Sequence, residues 1–157
     1  MAKVTVGRKV PAFSAAITGK DAAKWKLADA AGEKLVLYFY PKDMTGGCTR
    51  ESQDFRDHQA AFRKAKVRVL GISRDSLKSH DKFRDKEKLP FDLLSDEDET
   101  VCNLFDVIKE KSLYGRKYMG VDRSTFLIDA DGVLRQEWRG VKIPGHVEAV
   151  LEAAKSL

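Results

Sequence analysis

The chain has 157 residues, 43% of them hydrophobic and 34% charged. That is about one domain's length, with enough apolar content for a core that needs no metal or disulfide staple, and it excludes disorder, collagen-like repetition and low complexity. Lys and Arg number 29 against 24 Asp and Glu, a formal charge of +5. The densest basic stretch, Arg63, Lys64, Lys66 and Arg68, has no interleaved aromatic residues, so a nucleic-acid partner is not expected.

Met1 to Val10 mixes basic and apolar residues and lacks the apolar stretch of a signal peptide, so a cytoplasmic location is expected. The longest apolar run, Leu35 to Tyr40, is six residues, where a membrane span needs about 20. No membrane association is expected. This LVLYFY run, bounded by Lys34 and Pro41, reads as a central strand buried on both faces. From Thr49 to Ala65, Ser52, Phe55 and Phe62 fall at helical spacing with Gln59 as the one polar interruption, predicting an amphipathic helix whose buried face extends back to Cys48.

Val67 to Ser73 reads as a second strand, followed by a charged helix over roughly Ser76 to Lys86 that Pro90 closes off. Strand, helix and strand with short connections imply a right-handed crossover and a parallel pair. Phe91 to Leu94 is a short strand. Asp96 to Thr100 then places acidic residues at the start of a short helix carrying Val101, Cys102, Leu104 and Phe105. Residues 109 to 120 are mostly polar, contain Gly115 and Gly120, and read as a loop. Ser124 to Ala130, Asp131-Gly132 and Val133 to Arg139 form a hairpin pattern. Pro144 opens a final helix to Leu157. No linker or repeat divides the chain, so residues 1–157 are expected to form a single domain. The order fits an α/β thioredoxin-like fold, a central mixed sheet flanked by helices with an N-terminal β extension. Other mixed α/β layouts share it.

Cys48 and Cys102 are the two cysteines, and His58, His80 and His146 the three histidines. They show neither CxxC nor zinc-ligand spacing, so no metal and no cofactor are expected. The segment YPKDMTGGCTRE joins the buried strand to the long helix. Pro41 ends the strand. Thr45 is an N-cap whose hydroxyl can accept from a first-turn N–H, placing Gly46, Gly47 and Cys48 at the first three helical positions. The helix start carries about half a positive charge, which favours the thiolate, the nucleophilic form of cysteine. Two glycines there let the backbone approach a small ligand. Packing alone also accounts for a cysteine at such a position.

The segment YFYPKDMTGGCTRESQDFRD resembles the peroxiredoxins, whose signature is proline, three residues, threonine, two residues, cysteine. Pro41, Thr45 and Cys48 match at full spacing. The similarity is to the bacterioferritin-comigratory-protein subfamily, also called PrxQ, and continues through DEDETVCNLFDV and KEKSLYGRKYMGVDRSTFLIDADG. The resemblance implies a thiol-dependent peroxidase acting in antioxidant defence. Cys48 would attack a hydroperoxide and become a sulfenic acid, Thr45 would hydrogen-bond the sulfur or the peroxide, Pro41 would shield the sulfur, Arg123 would contact thiolate and peroxide, and Glu51 would orient Arg123. It also implies a monomer.

The chain departs from that pattern twice. Gly46 stands where many members of the subfamily have proline, which predicts a first turn that unravels more easily. The positions where a resolving cysteine usually stands hold none: Gln53 occupies one, and Ser76 to Lys86 contains no cysteine. Cys102 reads as a core residue, with a resolving role as the alternative. The expected cycle therefore uses an external reductant, thioredoxin, glutaredoxin or a small thiol. A non-catalytic thioredoxin-like holdase is the competing function; it needs no reactive Cys48.

Overall fold

The computed structural model describes residues 4–19 and 24–157. Strand β3 (Lys34–Phe39) is the centre. Every residue from Leu35 to Tyr40 is fully buried, because helices or loops cover both sides of the sheet. Around it lies a seven-stranded mixed sheet in the order β2-β1-β5-β4-β3-β8-β9. Its other strands are β1 (Ser14–Ile17), β2 (Lys24–Lys26), β4 (Val67–Ser73), β5 (Leu93–Ser95), β8 (Ser124–Ile128) and β9 (Leu134–Arg139). β3, β4 and β5 run parallel, while β1 and β8 join antiparallel. The antiparallel pair β1 and β2 is the expected N-terminal extension.

Alternation along β3 sorts the core into two layers. Val36, Tyr38 and Tyr40 point to one face, where they meet Cys48 and Phe55 of α1 (Gly46–Asp57), Phe62 of α2 (Gln59–Lys64), Phe83 of α3 (Leu77–Glu87) and Val147 and Val150 of α5 (His146–Lys155). Leu35, Leu37 and Phe39 point to the other, against Val101 and Cys102 of α4 (Thr100–Leu104), Phe105 and Trp25. The β3-α1-α2-β4 and β4-α3-β5 connections step the same way across the sheet, so right-handed crossovers put their helices on one side.

Three local expectations need correction. The stretch 109 to 120 is not a loop: β6 (Ile108–Leu113) and β7 (Arg116–Val121) pair in register from Ile108↔Val121 to Leu113↔Arg116. Their long polar side chains hide the strand period, and the two-residue turn is made by Tyr114 and Gly115, both at positive φ (51° and 78°). The hairpin expected at Asp131-Gly132 joins β8 to β9, with Gly132 at φ 83°. There the Asp129 carboxylate accepts from the Asp131 and Val133 amides and shapes the turn. The helix expected over Thr49 to Ala65 breaks at His58 (φ −102°, ψ 7°), whose ring nitrogen lies 2.8 Å from the Asp54 carbonyl, although Cys48, Ser52, Phe55 and Phe62 keep one buried face. The last helix begins at His146 behind Gly145, not at Pro144.

Gly71 of β4 is required by the packing beneath α1. A Cβ there would stand 2.7 Å from the Tyr38 ring and 2.8 Å from Leu93. Tyr38 in turn stacks on Phe55 at 4.5 Å and hydrogen-bonds Ser52 at 2.9 Å. Gly71→Ala should therefore destabilise the protein by about 1–3 kcal/mol through overpacking. Urea unfolding checks this, and an unchanged midpoint would show that Tyr38 can move aside.

Candidate active site

Cys48 occupies the third position of α1, behind Thr45 as N-cap and Gly46-Gly47 as first turn, with 1% of its surface exposed. The opening amides of a helix have no intrahelical acceptor, so the sulfur sits among free main-chain donors. Glu51 lies three residues on, one turn further along the same helix face, and is fully buried. Arg123 enters from the short link between β7 and β8. Its Nη1 donates to Glu51 Oε1 at 2.7 Å and its Nη2 to Cys48 Sγ at 3.4 Å. The structure thus brings Cys48, Glu51 and Arg123 together across 72 and 75 positions of chain.

Gly47 makes room for this arrangement: a Cβ there would meet Arg123 Nη2 at 3.2 Å and Ile143 Cδ1 at 3.3 Å. Burial pushes the Glu51 carboxyl up to about 7 in spite of the guanidinium beside it. Its second oxygen, Oε2, is buried and has no hydrogen-bond partner. For Arg123, burial favours the neutral form, but Glu51 and Cys48 together outweigh it and hold the charge more firmly than usual. The planar fork of donors reaches two acceptors at once, the Glu51 carboxyl oxygen and the Cys48 sulfur.

Thr45 is the N-cap by backbone geometry, yet its hydroxyl does not cap. It donates to the Lys42 carbonyl at 2.9 Å, which commits its one proton and leaves the oxygen as an acceptor at the exposed mouth. Pro41, half-buried, stands two residues past the end of β3 at Phe39, after buried Tyr40. The loop between them is tied down by Asp43, a residue the sequence did not single out. Its carboxylate accepts from the Tyr40 hydroxyl at 2.6 Å and the Ser79 hydroxyl at 2.8 Å, and lies 2.7 Å from Nδ1 of buried His80. His80 Nε2 donates to the Leu94 carbonyl at 2.9 Å. Asp43, Asp75 and His80 bring potential ligand atoms within 4.8 Å of one another, but the Asp75 carboxylate accepts from the Asp43 amide and the Ser73 hydroxyl, so the cluster is engaged with its own protein partners. Nothing in local spacing links position 43 to position 80, so no sequence signal marked them.

Lys111 of β6 is a second group that sequence reading passed over. Its ammonium donates to the Val121 carbonyl. Burial and the nearby Arg123 and Arg74 lower its proton affinity, against Asp122 and Cys48, which raise it. His146, at the start of α5, hydrogen-bonds Thr125 Oγ1 at 2.8 Å. Burial, then Arg123, pushes it down to about 4.

Cys102 lies elsewhere. It belongs to the core layer on the opposite side of the sheet from Cys48, and both are free thiols. Its amide and that of Val101 donate to the Asp96 carboxylate at 2.7 and 3.0 Å, the acidic helix start the sequence suggested. Burial and Asp96 push its thiol far up, away from the reactive thiolate.

The sequence profile of the AhpC/TSA family matches residues 6–137. Peroxiredoxin Bcp of Xanthomonas campestris is 53% identical over 80% of this chain and 79% of its own. Peroxiredoxin Bcp of Bacillus subtilis is 44% identical over 98% and 97%. The chain belongs to the AhpC/TSA family. It is a peroxiredoxin of the Bcp, or PrxQ, type, and so a thiol-dependent peroxidase with a thioredoxin fold. Among solved structures, that of X. campestris bacterioferritin comigratory protein, determined as trapped intermediate and ligand complexes bearing on alkyl peroxide reduction, superposes with a TM-score of 0.86 at 47% identity, covering 92% of this chain and 90% of that one.

Glu51 and His146 act on the stability of this peroxiredoxin in opposite senses. Glu51 keeps its proton to higher pH folded than unfolded, so it lowers stability as pH rises from about 4.5 to about 7. His146 loses its proton at lower pH when folded, so it raises stability as pH rises from about 4 to about 6.5. Urea unfolding across this range should show Glu51→Gln gaining stability with pH relative to wild type, and His146→Gln losing it. Parallel curves for all three proteins would contradict these assignments.

Proposed function

We propose that Cys48 is the peroxidatic sulfur and that the enzyme reduces hydrogen peroxide and organic hydroperoxides in a one-cysteine cycle. The observation that carries this reading is the buried Cys48 sulfur at a helix start, 3.4 Å from a guanidinium that Glu51 holds in place. The thiolate attacks the terminal peroxide oxygen, the O–O bond breaks, and the sulfur is oxidised to sulfenic acid while an alkoxide or hydroxide departs and takes up a proton. Arg123 supports both the thiolate and the charge developing along the O–O bond. Thr45, with its proton on Lys42, accepts the peroxide O–H and orients it in line with sulfur. Pro41 limits water at the strand end, and Glu51 positions Arg123.

Cys102 is a packing residue in this reading. A disulfide needs Cα atoms roughly 4.4–6.8 Å apart, and the central sheet stands between the two cysteines. An external thiol therefore reduces the sulfenic acid. The X. campestris relative's association with alkyl peroxide reduction supports organic hydroperoxides as substrates here. The subfamily likeness supports a monomeric cytoplasmic enzyme; one continuous seven-stranded sheet supports a single domain over 1–157, and among the described residues no helix is long and apolar enough to cross a membrane.

Cys48→Ser should abolish peroxide consumption, whereas Cys102→Ser should keep activity within about twofold. After one equivalent of peroxide, mass analysis should find a dimedone adduct on Cys48 with Cys102 reduced. A Cys48–Cys102 disulfide, or activity surviving Cys48→Ser, would overturn the reading.

Gly46 is the softer of the two glycines: a Cβ there meets nothing within 4 Å, so proline fits at this first helical position. Gly46→Pro should leave the peroxide step intact and slow reduction of the sulfenic form, because fewer open conformations of the first turn expose the sulfur. Stopped-flow reduction at equal rates in both proteins would show that opening of this turn does not gate recycling.

A further inference from the structure

The β6–β7 hairpin is the segment near the site that the peroxide chemistry leaves unused. It carries four of the seven exposed large apolar side chains among the described residues: Leu113, Tyr114, Tyr118 and Met119. Large apolar groups clustered on one projecting element mark an interaction surface. The hairpin is also cationic: Lys109 pairs with Asp106 and Lys117 with Glu110, which leaves Lys111 and Arg116 as the cations of the face described next.

Register shows how this surface meets the site. Lys111 pairs with Tyr118 and Leu113 with Arg116, so these four side chains share one face. The Lys111 stem and the Tyr118 ring lie over Gly120. From there the ammonium reaches the Val121 carbonyl, close enough to the pocket for both Cys48 and Arg123 to act on its charge. One face of the hairpin thus runs outward from the sulfur pocket with a cation beside an apolar side chain at each step, Lys111 with Tyr118 and then Arg116 with Leu113.

Its tip is built at a conformational cost. Tyr114 takes φ 51° in the two-residue turn, a left-handed conformation that Asn or Gly adopts more easily, and it is 97% exposed, so no packing offsets the strain.

We infer that this face is the docking surface for the reductant, a protein dithiol whose contact surface is apolar and acidic. The inference rests on the one-cysteine reading above: with no internal thiol on this side of the sheet, a donor must come to the mouth of the pocket. One donor thiolate attacks the sulfenic sulfur, forming a mixed disulfide as water leaves. The donor's second thiol then attacks its own bonded sulfur, so the donor departs as a disulfide and Cys48 as thiolate. A partner bearing both thiols completes this without a second encounter. Acidic groups on it match the hairpin's cations and speed the encounter, while Tyr114, Leu113 and Tyr118 provide apolar anchors.

The test compares two reductants, thioredoxin and dithiothreitol, on wild type and on Leu113→Ser/Tyr114→Asn. Asn suits the left-handed turn, so Tm should hold or rise. The KM for thioredoxin should increase at least about tenfold, with turnover by dithiothreitol within twofold of wild type. Arg116→Glu should lower kcat/KM for thioredoxin at low salt and converge with wild type near 1 M salt. Unchanged thioredoxin kinetics in the double variant would overturn the proposal, as would an equal loss with dithiothreitol. So would a wild-type dimer in size-exclusion chromatography that the double variant dissociates, since the face would then join two copies of this chain. Wild-type turnover with dithiothreitol but not thioredoxin would exclude the protein dithiol alone, whereas no turnover with either would remove the one-cysteine cycle itself.

Discussion

A guanidinium clamped between a buried carboxylate and a buried sulfur is the contact on which the rest of this site depends. Removing Glu51, Arg123 and Cys48 from water is costly for each, and the three are tolerable together because Arg123 offers a fixed fork of donors to the carboxyl oxygen and to the sulfur. The balance is uneven. Glu51 still has one oxygen without a partner, and burial dominates its titration. A carboxyl held at this edge keeps Arg123 directed at the sulfur without neutralising it fully. The clamp also explains Gly47, since any side chain there would press on the guanidinium.

The segment around the sulfur is restrained unevenly as well. At Asp43 it is pinned by hydroxyls from Tyr40 and Ser79, by the Asp75 carboxylate on its amide, and by the buried ring of His80. From the next residue the chain is exposed, passes through Met44 at φ 64°, and enters α1 by way of two glycines. The segment from Met44 to Gly47 thus has less of its surface buried than Asp43, which is tied to α3 through Ser79 and His80.

The central strand determines which thiols can meet. Side chains on β3 alternate between two layers, and Cys48 and Cys102 are sorted into opposite ones. Cys102 is held by its surroundings in the unreactive protonated form, with Asp96 capping the helix that carries it. The proposed recycling by an outside thiol rests on this sorting as much as on the absence of a cysteine from α3.

Much of this was legible in the chain itself. A run such as LVLYFY permits a doubly buried strand and little else, the Thr-Gly-Gly-Cys order places a cysteine in a helix's first turn, and the signature around it points to a peroxiredoxin, because these features depend on neighbours a few positions apart. Glu51 could be suspected and Arg123 matched by resemblance, but their 2.7 Å bond could not be measured from spacing. The Asp43–His80 tie and the placing of Lys111 beside the pocket were invisible, and the β6–β7 hairpin was misread, since polar side chains on both strands erase the alternation that reveals a strand. The sequence alone determined the central strand and the place of Cys48 in the first turn of a helix, because both depend on neighbours a few positions apart. Only the tertiary structure decided which distant groups surround that atom, because sheet pairing, not chain proximity, brings residues 72 and 75 positions apart within hydrogen-bonding distance.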